Sequence, residues 1–248
     1  MDDTEIITER KRRIQGMFNG IARRYDLLNR LLSGGVDVYW RRRALGAVRR
    51  PGPPGRVLDL ATGTGDLALA LKRTGAESVV GVDVAINMVR LGVGKVERAN
   101  AAGLRLMGGD AEALPFAPDS FDLVTAAFGV RNFGHIPAGL AEAWRVLKPG
   151  GELVVLDFAE PEAPLFRSVY RFYFKKVLPV VGGAVSGNRS AYAYLPRSVD
   201  TFPQGRAFLQ LLEDAGFAET RATPLTLGIS SIYQGVKPGP QVDLAGPL

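Results

Sequence analysis

A glycine turn and the carboxylates around it decide what chemistry this chain could do. The stretch Val57-Leu58-Asp59-Leu60-Ala61-Thr62-Gly63-Thr64-Gly65-Asp66-Leu67-Ala68 starts as an apolar strand, turns on two glycines and opens a helix. A Gly-x-Gly turn lets the backbone approach a ligand closely, and the helix start beyond it offers unpaired N–H groups and a partial positive charge. In an open α/β sheet such a turn lies at the carboxyl edge of its strand, where ligands bind. Gly63-x-Gly65-x-x-Ala68 also fits the relaxed fingerprint of a dinucleotide site. Asp83 ends the next apolar strand, eighteen residues beyond Gly65. A carboxylate there can accept from both hydroxyls of a ribose, whether of NAD or of S-adenosyl-L-methionine; capping of the following helix is its other use. Two features favour S-adenosyl-L-methionine. Asp110-Ala111 follows the third strand, where a carboxylate can accept from an adenine amino group. The first loop, from Asp59 through Thr62 and Thr64 to Asp66, is acidic and holds no basic group for a pyrophosphate. A sulfonium and an ammonium are favoured beside Asp59, and two phosphates are not.

The elements that must position these groups follow from the apolar pattern. From Arg56 onward strand and helix alternate: strands at Val57–Leu60, Ser78–Asp83, Leu104–Met107, Phe121–Ala126 and Glu152–Phe158, with helices at about 66–73, 86–101 and 137–147. That alternation predicts a parallel, doubly wound α/β sheet. Lys148-Pro149-Gly150-Gly151 reads as a stop between helix and strand five. After Phe202-Pro203 a helix runs to Ala215, and Phe217–Ala222 with Leu227–Gly235 read as a closing antiparallel pair.

Two segments stand outside this alternation. Residues 1–50 are helical: Ile14, Met17, Phe18, Ile21, Tyr25, Leu28 and Leu32 recur at spacings of three and four, and a second helix from Val38 to Val48 carries Arg41-Arg42-Arg43. Pro51-Gly52-Pro53-Pro54-Gly55 closes the segment, which is expected to be a lid over the ligand site. In residues 160–200, Phe166, Val169, Tyr170, Tyr173, Phe174 and Val177 share one helical face beside Arg167, Arg171, Lys175 and Lys176, with a glycine-rich connection over 182–187. That face is either plain core or the wall of an inserted cap over an apolar pocket, and a basic amphipathic helix also suits a membrane surface. The tail from Lys237 to residue 248 is expected to be disordered.

Composition narrows the classes. The chain has 248 residues, 46% of them hydrophobic, which fits one α/β domain with additions. No apolar run is long enough for a membrane span and the acidic start Met1-Asp2-Asp3-Thr4-Glu5 is unlike a signal peptide, so a cytoplasmic setting is expected. With no cysteine and one histidine, His135, neither disulfides nor a metal centre are expected. The net charge of +6 sits wholly in residues 1–50, which hold twelve of the 31 Lys and Arg and six of the 25 Asp and Glu. Such asymmetry suits a polyanionic partner or a solvated helical face.

Several stretches resemble the seven-strand S-adenosylmethionine-dependent methyltransferases: Val57–Ala68, Gly81-x-Asp83 with Asn87-Met88, Gly109-Asp110-Ala111-Glu112-x-Leu114-Pro115-Phe116, Ser120-Phe121-Asp122 and Arg145-Val146-Leu147-Lys148-Pro149-Gly150-Gly151. Ala127-Phe128-Gly129-Val130-Arg131-Asn132 is similar to the signature of the ubiquinone/menaquinone biosynthesis C-methyltransferases. Tyr25-Asp26-x-x-Asn29, Ser186-Gly187, Ala191-Tyr192-x-Tyr194-Leu195-Pro196-x-Ser198, Phe202-Pro203 and Leu225-Thr226-x-Gly228 extend that likeness over residues 10–236 in one register.

The resemblance implies a Rossmann-like class I methyltransferase sheet of seven strands, with N-terminal helices and a helical insertion after strand five. It implies S-adenosyl-L-methionine as cofactor, contacted around Asp59, Thr62, Gly63, Gly65, Asp83, Val84, Met88, Asp110, Ala111 and Ala127. The family commonly has serine at the position of Ala127, so one hydroxyl contact is lost there, and glutamate at the position of Asp157, an acid one methylene longer. The implied reaction methylates a ring carbon of a reduced polyprenyl quinone, a naphthoquinol or, as the alternative, a benzoquinol. Tyr25, Phe128, Asn132 and Tyr170 are then expected at the acceptor; Arg131 would stabilise its oxyanion or serve as a salt bridge. Asp157 would take a proton directly or through water, or cap the sheet edge, while His135 is expected to be an exposed helix-entry residue. A membrane-embedded tail on the substrate would give the basic N-terminus and the aromatic face a shared purpose, transient contact with the anionic inner face of the cell membrane. No nucleic-acid partner is expected and a homodimer is left open. Competing readings are an NAD-dependent dehydrogenase, a methyltransferase acting on another small molecule or on RNA, and a non-enzymatic quinone- or lipid-binding scaffold.

Overall fold

Seven strands form one sheet in the order β3-β2-β1-β4-β5-β7-β6. The computed structural model describes residues 3–49, 52–161, 163–173, 176 and 189–239. The expected 182–187 connection, Phe174, Lys175 and Val177 lie outside them, as does the tail from Pro240. Strands β1 (Arg56–Leu60), β2 (Ser78–Asp83), β3 (Leu104–Gly108), β4 (Phe121–Ala127) and β5 (Leu147–Phe158) run parallel. The last two, β6 (Ala218–Leu225) and β7 (Ser230–Val236), close the sheet antiparallel, β7 between β5 and β6. Because β1 lies between β2 and β4, the chain reverses its winding there, and the crevice above the ends of β1 and β4 is the switch point where ligands bind.

The central strands read as apolar runs because helices cover both faces. On one face α5 (Ile136–Val146) and α8 (Arg206–Asp214) pack Leu140, Ala143, Phe208 and Leu212 against Leu58, Val124 and Tyr233. On the other, α2 (Val36–Ala47) and α3 (Asp66–Arg73) set Trp40, Ala44 and Leu71 against Val57, Leu123 and Leu156. The long α1 (Asp3–Ser33) crosses the carboxyl edge against α4 (Ile86–Arg98), where Ile21 and Ala22 meet Met88. Tyr170 of α6 (Pro164–Phe172) and Val199 of α7 (Arg189–Thr201) join that cluster.

Two boundaries differ from the sequence reading. The helix before Lys148-Pro149-Gly150-Gly151 does end at Val146, but these residues lie inside β5, which begins at Leu147, paired with Phe121, and shifts register before Glu152 pairs with Leu123. The Gly150 N–H donates to the Lys237 carbonyl (2.8 Å) and the Lys237 N–H to Gly151 (2.9 Å), so the bulged start has partners. The same bonds correct the tail boundary. Lys237 is buried, its Nζ donating to the Leu147 carbonyl (2.8 Å) and Asp119 (2.7 Å) and lying 4.0 Å from the Trp144 ring centre.

Candidate active site

The glycine turn is held from beneath. Both Asp59 oxygens accept hydroxyls, from Thr62 (2.6 Å) and Thr125 (2.7 Å), and the residue is 1% exposed. The Thr62 N–H donates to the Val82 carbonyl (3.0 Å) and the Gly65 N–H to Thr62 (2.9 Å). Gly65 is left-handed (φ 80°), and a Cβ there would sit 2.9 Å from Leu106 Cδ1. Asp59, Thr62 and Gly65 therefore shape the turn and do not line the cleft. The Asp59 carboxylate, expected beside the ligand, holds these two threonines, and the residue lines neither cavity. Asp66, counted in the acidic loop, is instead neutralised by Lys95 (2.7 Å), which also pairs with Asp26 of α1.

Burial pushes the Asp59 carboxyl up to about 6, so the folded chain binds its proton more tightly than the unfolded chain does. Its contribution favours folding at low pH and is lost as pH rises from about 4 through 6. Asp59→Asn removes that slope, worth about 3 kcal/mol for a shift of about two units. Melting of wild type and variant at pH 5 and 7.5 checks it: the variant's relative stability rises with pH, and a constant difference would contradict the assignment.

Above the turn lies a cleft of about 80 Å³, lined by Gly63, Asp83, Val84, Met88, Asp110, Ala111 and Ala127 among others. These are seven of the ten positions expected at the cofactor. Asp83 accepts the Gly63 N–H (2.8 Å) on one oxygen and the Ala85 N–H (2.7 Å) on the other. Each oxygen keeps a lone pair for a further donor, so the group fits a ribose diol while it ties the glycine turn to the turn entering the next helix. Burial raises its pKa above the ordinary carboxylate value. Asp110 accepts the Glu112 N–H (2.9 Å) and pairs with Lys11 (2.7 Å), which also reaches Glu112 (2.8 Å). Helix α1 is pinned over this cleft by Lys11, by Gln15 Nε2 donating to the Val84 carbonyl (2.7 Å), and by Asn19 accepting from the Asn87 N–H (2.9 Å). Lys11 and Gln15 were not singled out from the sequence; helical spacing sets a face and says nothing of the distant residues that face meets.

A second cavity of about 400 Å³ adjoins the cleft, and Phe18, Tyr25 and Phe128 line both. Its walls are mostly apolar and include Tyr25, Phe128, Arg131 and Tyr170, while Asn132 faces the cleft. After β4 the chain turns sharply at Phe128 (φ 59°), a conformation a bulky residue adopts only when its surroundings enforce it. Gly129 follows because a Cβ there would collide with Ala61. The turn delivers Arg131 into a buried cage. Its Nη1 donates to the Phe128 carbonyl (2.5 Å) and to Asp157 Oδ1 (2.6 Å), and its backbone N–H to Asp157 Oδ2 (3.2 Å). Arg131 Nε is buried with no partner among the described residues.

Asp157 corrects the expectation of a proton acceptor. It is fully buried, lines neither cavity, and also accepts the Phe158 N–H (2.9 Å), so its oxygens are committed to Arg131 and the backbone. Its geometry is that of a positioning group for the guanidinium. Asn132 accepts from Tyr194 Oη (3.1 Å), and burial raises the phenol pKa of Tyr25 and of Tyr170, which stay neutral. His135 is the exposed N-cap expected, its Nδ1 accepting from the Ala138 N–H (3.3 Å).

The sheet order with its antiparallel β7 is the architecture of the class I S-adenosylmethionine-dependent methyltransferases. Solved structures share it: a methyltransferase from Thermotoga maritima described as a possible histamine N-methyltransferase (TM-score 0.65, 18% identity, 90% of this chain and 99% of that one). Another is phosphoethanolamine N-methyltransferase 2 of Haemonchus contortus in complex with S-adenosyl-L-methionine (TM-score 0.60, 16% identity, 80% of this chain and 52% of that one). The chain belongs to the ubiE/COQ5 methyltransferase family, whose model matches residues 6–237. Among its relatives are the ubiquinone/menaquinone biosynthesis C-methyltransferase UbiE of Geotalea daltonii, 47% identical over 93% of this chain and 99% of that protein. The demethylmenaquinone methyltransferase of Thermus thermophilus is 50% identical over 90% of this chain and 100% of that protein. That of Deinococcus radiodurans is 49% identical over 90% and 92%. The chain is thus a methyltransferase and its cofactor is S-adenosyl-L-methionine.

Proposed function

We propose that this chain methylates a ring carbon of a reduced polyprenyl naphthoquinone, demethylmenaquinol to menaquinol, in menaquinone biosynthesis. The observation that carries the reading is Arg131: a guanidinium held by Asp157 that lines a largely apolar cavity next to the cofactor cleft. Such a cavity suits a fused aromatic ring, and a guanidinium on its wall suits an oxygen that gains negative charge. The Thermus and Deinococcus relatives, named for demethylmenaquinone, favour the naphthoquinol over the benzoquinol.

When bound, S-adenosyl-L-methionine supplies an electrophilic methyl group. The chain's own residues make the acceptor nucleophilic and aim it. A quinol carbon is a poor nucleophile until the neighbouring hydroxyl ionises, and Arg131 favours that oxyanion in a water-poor site. Asp157 keeps the guanidinium fixed and charged without entering the cavity. Phe128 and Tyr25, shared by cleft and cavity, hold the ring against the donor, so that alignment supplies much of the rate. With the donor bound, transfer of its methyl to the ring carbon would release S-adenosylhomocysteine, and the ring proton would pass to water as aromaticity is restored. Assay with labelled donor under reducing conditions tests the acceptor: turnover is expected with the reduced naphthoquinol and weaker with the benzoquinol, and the reverse order would overturn the naphthoquinol reading.

Residues 1–50 act as the lid of this site in the same reading, since Lys11, Gln15 and Asp26 fasten α1 across the cleft. The chain works at the inner face of the cell membrane, where a polyprenyl tail resides. Leu165, Phe166 and Phe172 of α6 and Leu227 before β7 are exposed, and Phe166 and Leu227 also line the large cavity. This rim would let the headgroup enter while the tail stays in lipid, with the cationic N-terminal segment adding attraction to anionic headgroups. No described helix is long and apolar enough to cross a membrane. Replacing Leu165 and Phe172 together by serine is expected to weaken binding to anionic liposomes about 10-fold or more. Unchanged co-sedimentation at low salt would remove the docking surface from the account.

A further inference from the structure

The large cavity holds a second charged device that the family assignment does not account for. Asp37 and Arg41 of α2, one helical turn apart, form an ion pair, and both line the cavity. Asp37 is 5% exposed and also accepts the Ser33 hydroxyl (2.8 Å). Among the described residues Asp37 is the one hydrogen-bond acceptor of Arg41, so further N–H donors of this cavity-lining residue remain for a ligand. The guanidinium carbon lies 5.5 Å from the Phe128 ring centre. Phe128 stacks on Phe158 at 4.8 Å, and Phe158 carries the Arg131 guanidinium at 5.1 Å. Two arginines thus sit at the ends of one tilted aromatic pair. An ion pair buried in an apolar wall is costly, and a neutral pair would cover the same surface.

We infer that Arg41, held by Asp37 and by the face of Phe128, is a specificity-determining residue that binds the second oxygen of the quinol. This rests on the quinol reading above. Arg131 comes from the turn that also lines the cofactor cleft, through Phe128 and Asn132, and takes the oxygen next to the methylated carbon. Arg41 comes from α2, contributes nothing to the cleft, and takes the oxygen para to the first. A 1,4-dihydroxy ring carries its oxygens on opposite edges, so two separate cationic donors suit it, whereas a monophenol would engage only one of them.

The test compares two acceptors with the same side chain: the reduced 1,4-naphthoquinol and its 1-naphthol analogue lacking the para oxygen. Arg41→Gln is expected to lower kcat/KM for the quinol about 10–100-fold, mostly through KM, and to change that for the 1-naphthol less than about 3-fold. Affinity for S-adenosylhomocysteine stays as in wild type, which controls for folding, and Arg41→Lys recovers part of the loss. Equal losses on both acceptors would make Arg41 a structural residue and overturn the proposal. If wild type methylates neither acceptor, the quinol reading itself falls and takes this inference with it. Wild-type turnover of the quinol with no effect of Arg41→Gln would defeat the inference alone.

Discussion

Arg131→Gln lowers kcat on the reduced naphthoquinol about 10²–10³-fold while the affinity for S-adenosylhomocysteine changes less than about 3-fold. Losing one preorganised donor at a developing oxyanion has a cost of that size. The defect narrows at alkaline pH, because a quinol that ionises unaided needs the guanidinium less. Asp157 complicates the single variant. Removing Arg131 strands a fully buried carboxylate, and breaking such a pair costs about 3–5 kcal/mol of stability. The double variant Arg131→Gln with Asp157→Asn avoids the stranded charge and is expected to melt near wild type yet remain inactive. Asp157→Asn alone keeps more activity than Arg131→Gln, since the acid positions the arginine and never reaches the cavity. Steady-state kinetics with melting curves separate these outcomes, and near-normal kcat in Arg131→Gln would end the oxyanion proposal.

Asp83→Ala raises the Kd for S-adenosylhomocysteine about 100-fold. Two hydrogen bonds to a charged acceptor are lost together, and the Gly63 and Ala85 N–H groups lose their partner. Asp83→Asn, which keeps one carbonyl oxygen, is expected to fall between. Isothermal titration reads both, and a Kd within about 3-fold of wild type would show that Asp83 serves only to hold the Gly63 and Ala85 turns.

Much of this was legible in the residues. The βα alternation placed the five parallel strands because their buried runs are short and bounded by turn residues, and the turn–Asp83–Asp110 spacing pointed to the edge where a nucleoside fits. What failed had a common cause. Sequence position told which carboxylates lie near the turn and not which way they face: Asp59 points beneath it, and Asp66 is claimed by a lysine from α4. Asp157 looked like a proton acceptor because it ends a strand at the ligand edge, yet Arg131 and two backbone N–H groups occupy it. Arg41 read as one of three consecutive arginines on a helix; only the packing of α2 over Phe128 separates it from its neighbours. Lys148–Gly151 carried stop residues, but the partner that extends β5 is Lys237, far along the chain.

The central claim is transfer of a methyl group to a ring carbon of a reduced quinone. Incubation with S-adenosyl-L-methionine carrying a deuterated methyl, a reduced demethylnaphthoquinol and a reductant, followed by mass and NMR analysis of the product, tests it most directly. The account predicts one labelled methyl on the ring carbon beside a free hydroxyl, with no product from the oxidised quinone. A labelled methyl on oxygen, or no transfer to the reduced ring, would contradict it.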